Sequence, residues 1–421
     1  MSGRHTGARS RTNRGRSLVG ERWTVDVGPI AHGGHCVARH EGLVVFVRHT
    51  VPGERVVVEI TEGDDRSKFV RGDAVEVLTA SPDRVAPPCP FSGPGMCGGC
   101  DFQHVALPAQ RDLKAFVVRE QLQRLAKLDV DVTVQPVPGD DEGLGWRTRV
   151  QYAIDDDGHA GLRKHRSHEV VRIDVCPIAH PGLPVVTSED WYGADSVEAI
   201  VSNTGEQLRL VTADDELFLD GPKVLHERAL GRGWQVTGSG FWQVHPGAAE
   251  TLVAAVMDGA APRPGEHALD LYAGVGLFSA ALAEAVGRTG SVVSVESDEV
   301  AVGDAARNLA DLPQVAPVVD RVDRALRNGS AGERADVVVL DPPRTGARRD
   351  VVEGIVRLAP RVVAYVACEP AALARDVAIF GEHGYRLTNV QAFDLFPMTH
   401  HVECVALLER TDSDSQGSDS R

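Results

Sequence analysis

The residues of this chain best suited to chemistry are a cysteine and several acids, each set at or near an apolar run. Cys368 closes the run in "YVACEPAALARD", Asp341 ends "VVVLD" ahead of "PPRTG", Glu296 ends "SVVSVE", and Glu403 stands inside "HHVECVALLER". A thiol at a strand end with Pro370 opening the next helix is placed as a nucleophile, because a helix N-terminus favours the thiolate. The competing readings of Cys368 are core filler and metal ligand. Glu403 is the candidate proton acceptor, whereas His400 and His401 read as structural histidines with satisfied hydrogen bonds. Cys404, one residue on, should point to the opposite face of its strand and belong to the core.

A second group surrounds a glycine turn. "ALDLYAGVGLFSAALAEAV" reads as strand, turn and helix, with Gly274 and Gly276 letting the backbone approach a ligand at a helix N-terminus. Glu296 follows Gly276 by 20 residues, where an acid commonly holds a ribose hydroxyl pair. A nicotinamide site would want a third glycine at 279, where this chain has Ser279. Asp270, just before the turn, suits a methionine-derived sulfonium and amine better than a pyrophosphate. Asp341 ends a strand on the side where open α/β sheets bind ligands, and two prolines stiffen its loop. Arg344 follows them, where enzymes acting on exocyclic amines carry an aromatic ring.

Cys89, Cys97 and Cys100 crowd a glycine- and proline-rich loop, and Cys176 lies in "DVCPIAH". Four cysteines read first as a zinc site. Three clustered thiolates with one distant partner suit an iron–sulfur cluster at least as well. Cys36 has no evident partner.

These residues need elements to position them. At 421 residues the chain is long enough for two or three domains. No apolar run approaches the ~20 residues that span a bilayer, and the start lacks the apolar segment of a signal peptide. A cytoplasmic monomer without membrane contact is expected. The net charge of −16 argues against a nucleic-acid partner only in bulk, since phosphate contacts depend on where basic groups lie. Residues 1–19 read as a disordered basic tail with arginine at 4, 9, 11, 14 and 16, and residues 411–421 as a polar one. Between about 20 and 79, short β-rich pieces with turn signals predict five strands and a small barrel. Apolar Leu113, Phe116, Val117, Leu122 and Leu125 predict a helix within 104–128. A second β-rich region covers 145–235. From about 238 the grammar alternates strand and helix, as in a doubly wound parallel sheet, with "YRLTNVQAFD" and "HHVECVALLER" as closing edge strands.

The chain resembles the bacterial RNA uracil-5-methyltransferases, which make 5-methyluridine in transfer RNA and 23S ribosomal RNA. The likeness rests on "GGHCVARHEGLVVFVRHTVPGERV", "GFWQVHPGAAE", "DLYAGVGLFS", "VVSVESD", "DPPRTG", "YVACEPAALARD" and "FPMTHHVE", and runs from about Gly20 to Arg410. It implies an α/β plus β chain. Residues 20–79 would be a TRAM RNA-binding barrel of the OB type, and 80–237 a central β-rich domain with an iron–sulfur cluster. Residues 238–410 would be a Rossmann-like methyltransferase domain using S-adenosylmethionine. By the same resemblance Gln243, Tyr272, Gly274, Gly276, Glu296 and Asp341 would bind that cofactor. Cys368 would be the nucleophile and Glu403 the base, and Cys89, Cys97, Cys100 and Cys176 would hold a [4Fe–4S] cluster. His245 stands where the family usually has asparagine.

The resemblance explains why a cysteine is wanted at 368. Its addition to carbon 6 of uracil would make carbon 5 nucleophilic enough to accept a methyl group. The target base must be unstacked, which implies a loop or flipped nucleotide. The expected partner is RNA, 23S ribosomal RNA ahead of transfer RNA. Two other classes compete: a nicotinamide or iron–sulfur oxidoreductase, which the incomplete glycine fingerprint opposes, and a non-catalytic RNA-binding protein, which the full residue set opposes.

Overall fold

The computed structural model describes residues 15–411, which form two compact units, one ending at Arg84 and one beginning at Val85. The tails expected over 1–19 and 411–421 lie outside the described residues except at their inner ends. Those ends are held by the fold. Ser17 bridges Asp64, the Arg16 amide donates to Asp65 Oδ1 at 2.9 Å, and the Thr411 amide donates to Gly384 O at 2.8 Å.

The first unit has six strands where five were expected: β1 (Arg22–Asp26), β2 (Ile30–Ala31), β3 (His35–His40), β4 (Leu43–Arg48), β5 (Arg55–Glu62) and β6 (Phe69–Thr79). The extra one is the two-residue β2, too short to leave a pattern. They form one sheet in the order β1-β5-β6-β4-β3-β2, parallel only between β4 and β6. Alternation sets the register, since Val56, Val58 and Ile60 of β5 are buried while their neighbours are not.

The second unit opens with a cysteine-bearing loop and α1 (Leu107–Gln121), which widens into a π turn over Leu122–Ala126. The helix exists where expected, but its buried face is Gln110, Lys114, Ala115, Val118, Gln121 and Leu122. Phe116, expected in the core, is 39 % exposed. Lys114 took the inner position because Asp394 meets its ammonium at 2.5 Å. A pattern of apolar residues alone cannot register such a pair.

After β7 (Val134–Pro136) come β8 (Arg149–Ile154), β9 (Ala160–Arg163), β10 (Val170–Arg172), β11 (Ser196–Val201), β12 (Gln207–Ala213) and β13 (Glu216–Asp220). The last six form an antiparallel sheet in the order β10-β9-β8-β11-β12-β13. A hairpin of β14 (Val224–Ala229) and β15 (Arg232–Thr237) follows. Strand and helix then alternate: α2 (Ala248–Ala260), β16 (His267–Leu271), α3 (Leu277–Val286), β17 (Ser291–Glu296), α4 (Glu299–Asn308), β18 (Val315–Val319), α5 (Val322–Asn328), β19 (Val337–Leu340), α6 (Arg348–Arg357), β20 (Val362–Ala367), α7 (Pro370–Glu382), β21 (Tyr385–Asp394) and β22 (Glu403–Arg410).

The large sheet runs β18-β17-β16-β19-β20-β22-β21-β7. β22 therefore lies inside the sheet rather than at an edge, and the edge position is taken by β7, parallel to β21. The all-apolar β19 and β20 are buried on both faces. Val338, Leu340, Val363 and Tyr365 pack in one layer with α6 and α7, while Val337, Val339, Ala364 and Val366 pack in the other with α2 and α3. Each such valine or leucine contributes roughly 1.5–3 kcal/mol of burial. This stiffness is what fixes the strand ends described next. β7 and α1, both from before residue 238, belong to this layer as well.

Candidate active site

The parallel registers align Leu271 with Leu340 and Leu340 with Tyr365. Tyr272, Asp341 and Cys368 therefore emerge from β16, β19 and β20 along the same carboxyl edge. Antiparallel β22 begins at that edge, and its Cys404 pairs with Ala367. The pairing sets Glu403 and Cys368 at the ends of adjacent strands. Cys404 is fully buried in the core, as expected.

The glycine turn is bound to Glu296. The Gly274 amide donates to its Oε2 at 3.0 Å, and Ser297 and Asp298 amides donate to its Oε1 at 2.6 and 2.9 Å. Gly274 and Gly276 have φ of 54° and 93°, and Tyr272 shares the left-handed region at 63°. A Cβ on Gly276 would strike Leu309, whereas one on Gly274 would meet nothing within 4 Å among the described residues. The open side of the turn is thus at Gly274. Ser279 in place of a third glycine has a local reason: its hydroxyl donates to Asp270 Oδ2 at 2.6 Å and lies 3.0 Å from Ser294 Oγ.

The electrostatics of this edge are one-sided. Asp270 is wholly buried, its Oδ1 has no hydrogen-bond partner among the described residues, and burial pushes its pKa up to about 7. Asp341 is likewise pushed up to about 7, by burial and then by the charge of Asp270. Glu403 is raised well above the usual carboxylate range by burial and by Asp341, against Arg344. Cys368, expected to have a depressed pKa, is instead pushed up to about 12 by burial, Glu403 and Asp341, with Arg344 opposing. The helix N-terminus expected to lower it is capped by the Glu369 carboxylate, which accepts from the Ala371 amide at 3.3 Å. Burial also raises the Tyr272 hydroxyl to about 12. Gln243 is half-buried and its side chain makes no hydrogen bond among the described residues.

Sequence reasoning missed what braces these groups. Asp376 accepts from the Tyr365 hydroxyl at 2.7 Å and from the Ala347 amide at 2.7 Å, tying the end of the DPPRTG loop to α7. Asp101 accepts from the His400 amide at 3.1 Å and lies 2.6 Å from His400 Nδ1, while Asp101 and Phe102 amides donate to Met398 O. The segment leading into Glu403 is thereby fastened to the cysteine loop. His400 is structural, as expected. His401 is driven down to about 3 by burial and by neighbouring His400 and Arg344. Only the position of Arg344 after two prolines hinted at its electrostatic part.

Cys89, Cys97, Cys100 and Cys176 line one pocket, walled by Phe91, Val150, Leu162 and Ile178. The Gly99 amide donates to Cys97 Sγ at 3.4 Å and Gln103 Nε2 to Cys100 Sγ at 3.3 Å. Elsewhere, Asp155, Asp157 and His159 bring three potential ligand atoms within 4.8 Å of one another. Cys36 is buried, with its thiol 3.7 Å from Thr50 O. Among the described residues no helix is long and apolar enough to cross a membrane.

Comparison with known proteins agrees with this layout. Residues 16–75 match the TRAM domain and residues 332–411 match the tRNA (uracil-5-)-methyltransferase family, which includes the stretches around Asp341, Cys368 and Glu403. Residues 245–332 match a second methyltransferase family, the protein-L-isoaspartate(D-aspartate) O-methyltransferases, over the glycine turn and Glu296. A protein described as an uncharacterized RNA methyltransferase from Streptomyces avermitilis is 50 % identical, over 93 % of this chain and 99 % of its own length. One from Bifidobacterium longum is 40 % identical over 90 % of this chain and 94 % of its own. The crystal structure of Pyrococcus abyssi tRNA (uracil-54, C5)-methyltransferase with S-adenosyl-L-homocysteine shares the fold. Its TM-score is 0.69 at 24 % identity, over 91 % of this chain and all of that one. With a TRAM barrel joined to a cofactor-type glycine turn and a uracil-5 signature, the chain belongs to the S-adenosylmethionine-dependent RNA methyltransferases of the tRNA (uracil-5-)-methyltransferase family.

Proposed function

We propose that this enzyme methylates carbon 5 of a uridine in RNA, with Cys368 as nucleophile and Glu403 as base. The observation that carries the reading is a thiol and a buried carboxyl, without a hydrogen bond among the described residues, at the ends of adjacent strands, beside an acid-lined glycine turn. Attack of Cys368 Sγ forms a bond to carbon 6 of uracil, and the double-bond electrons move into an enolate, which makes carbon 5 nucleophilic. S-adenosylmethionine, when bound, supplies the electrophilic methyl group that carbon 5 takes up. Glu403 then accepts the carbon-5 proton. The electron pair left behind restores the ring double bond as the carbon–sulfur bond breaks and thiolate leaves.

A cationic cofactor suits this edge. Burial raises Asp270 and Asp341 to about 7, a shift that a bound positive charge would oppose, and Gly274 leaves space. Gln243, Tyr272, Gly274, Gly276, Glu296 and Asp341 would hold it. Burial, Glu403 and Asp341 favour the protonated thiol of Cys368 in the protein alone, so Arg344 and an incoming cation are what favour its thiolate.

The four cysteines would hold a [4Fe–4S] cluster. Soft thiolates suit zinc or iron–sulfur. Their shared place on one pocket supports a common metal group, and three clustered thiols with one distant partner suit the cluster. Anaerobically purified protein should be brown and contain iron and sulfide; a colourless zinc protein refutes the assignment. The cysteines also support 23S ribosomal RNA as target, because they resemble the ribosomal-RNA members. Transfer RNA is the second reading, favoured by the Pyrococcus abyssi neighbour.

The deciding experiment uses RNA containing 5-fluorouridine, whose fluorine cannot leave as a proton does. The native enzyme with S-adenosylmethionine should give a cross-linked band on a denaturing gel. Cys368→Ala should give neither band nor methylated product, while keeping its fold. Methylation by the alanine variant would overturn the mechanism.

A further inference from the structure

We propose that the tip of the β9–β10 hairpin, residues 163–168, is an RNA phosphate-binding element held in place by the cysteine loop; this rests on the chain acting on RNA. The tip reads Arg163, Lys164, His165, Arg166, Ser167, His168. Three cations fall within four consecutive positions, a density that no other described stretch reaches in a chain of net charge −16. Arg163 and Arg166 are exposed, and neither forms an ion pair among the described residues. Lys164 alone is engaged, by Glu169. Nearby arginines are committed differently, Arg172 to Asp155 and Asp157, and Arg209 to Glu189 and Asp220. An exposed guanidinium without a carboxylate keeps its donors for phosphate.

The tip is ordered rather than a loose charged loop. The Lys164 amide donates to Glu169 O at 3.0 Å, the Ser167 amide to Lys164 O at 3.2 Å, and the Glu169 amide to Ser167 Oγ at 3.0 Å. Its first strand lies against the cysteine loop. Cys97 bridges Lys164, and the Gly98 amide donates to Arg163 O at 3.0 Å. A Cβ on Gly98 would collide with the His165 amide nitrogen. Glycine is therefore required for this close approach. The loop that places Cys97 and Cys100 in the cysteine-lined pocket thus sets where Arg163 and Arg166 are presented.

The test uses the full-length protein and a fluorescein-labelled RNA stem–loop with uridines in its loop. Its affinity is measured over a series of salt concentrations. Arg163→Ser with Arg166→Ser should weaken binding roughly tenfold and flatten the log–log salt slope by about 1.4–1.8, the value for two lost phosphate contacts. Iron content and S-adenosylmethionine affinity should not change, and the 5-fluorouridine adduct should still form at saturating RNA. Gly98→Ala should weaken RNA binding with both arginines present. An unchanged slope and affinity in the double variant overturn the phosphate site. Full RNA affinity in a folded Gly98→Ala protein overturns the role of the cysteine loop. If native protein binds the stem–loop with a salt slope that depends on the arginines yet never forms adduct, the uracil mechanism fails and this proposal stands.

Discussion

Two buried glutamates, one in the barrel unit and one at the edge of the large sheet, show how differently this chain treats the same side chain. Glu54 is 1 % exposed and Glu403 is 5 % exposed. Burial alone would raise both. Around Glu54 the Arg84 guanidinium donates at 2.6 and 2.7 Å, and Val51 and Ser81 amides add two more bonds. These outweigh the burial and hold Glu54 below the usual carboxylate range. Glu403 has no such set among the described residues, so burial and then Asp341 raise it well above that range. A buried carboxylate that is fully bonded secures structure. One without such partners, beside a thiol and a raised aspartate, stores an unmet demand for positive charge, which a ligand can satisfy.

The contrast predicts opposite phenotypes. Glu403→Gln should lower turnover on the order of 10²–10⁴-fold, the usual worth of a positioned base. Attack and methylation still proceed, so a protein–RNA adduct should accumulate on ordinary uridine RNA, while thermal stability changes little. Loss of activity without adduct would show that Glu403 acts before attack. Glu54→Gln should do the reverse. With Arg84 partly solvated, the loss should be about 2–3 kcal/mol of stability, read by denaturant titration, with S-adenosylmethionine affinity unchanged. A stable Glu54→Gln protein would mean that the ion pair is dispensable.

The smallest effect concerns pH. Asp270 and Asp341, both raised to about 7, titrate as a pair and lose protons in the protein alone as pH rises from 6 to 8. A sulfonium pairs with the ionised form, so binding releases protons and tightens as pH rises. For one proton released, the dissociation constant should fall roughly tenfold between pH 6 and 8. Calorimetry in buffers of different ionisation enthalpy would report the proton directly. A flat profile would show that these acids do not meet the cation.

Much of the candidate edge was legible because residues just beyond apolar parallel strands must emerge on one side of a sheet. Tyr272, Glu296, Asp341 and Cys368 each follow or close such a run. The placement of Glu403 was harder. Its strand looked like an edge piece, yet it is inserted beside β20, and only that insertion sets it next to Cys368. The thiol's protonation was read from its own helix, and the structure reversed it. The controlling charges, Glu403 and Asp341, arrive from other strands.

The sequence by itself determined where the β-rich and alternating regions lie, the glycine turn, the strand-end acids and the set of four cysteines. Those follow from local rules of periodicity, turn chemistry and side-chain type, which need no distant partner. Tertiary structure alone decided that Lys114 is buried against Asp394, 280 positions away, and that Phe116 faces out. It also decided that Asp101 braces His400 and that the 163–168 hairpin rests on Gly98. Each of these is a pairing between remote residues, and such a pairing exists only once the sheets have fixed both ends of it.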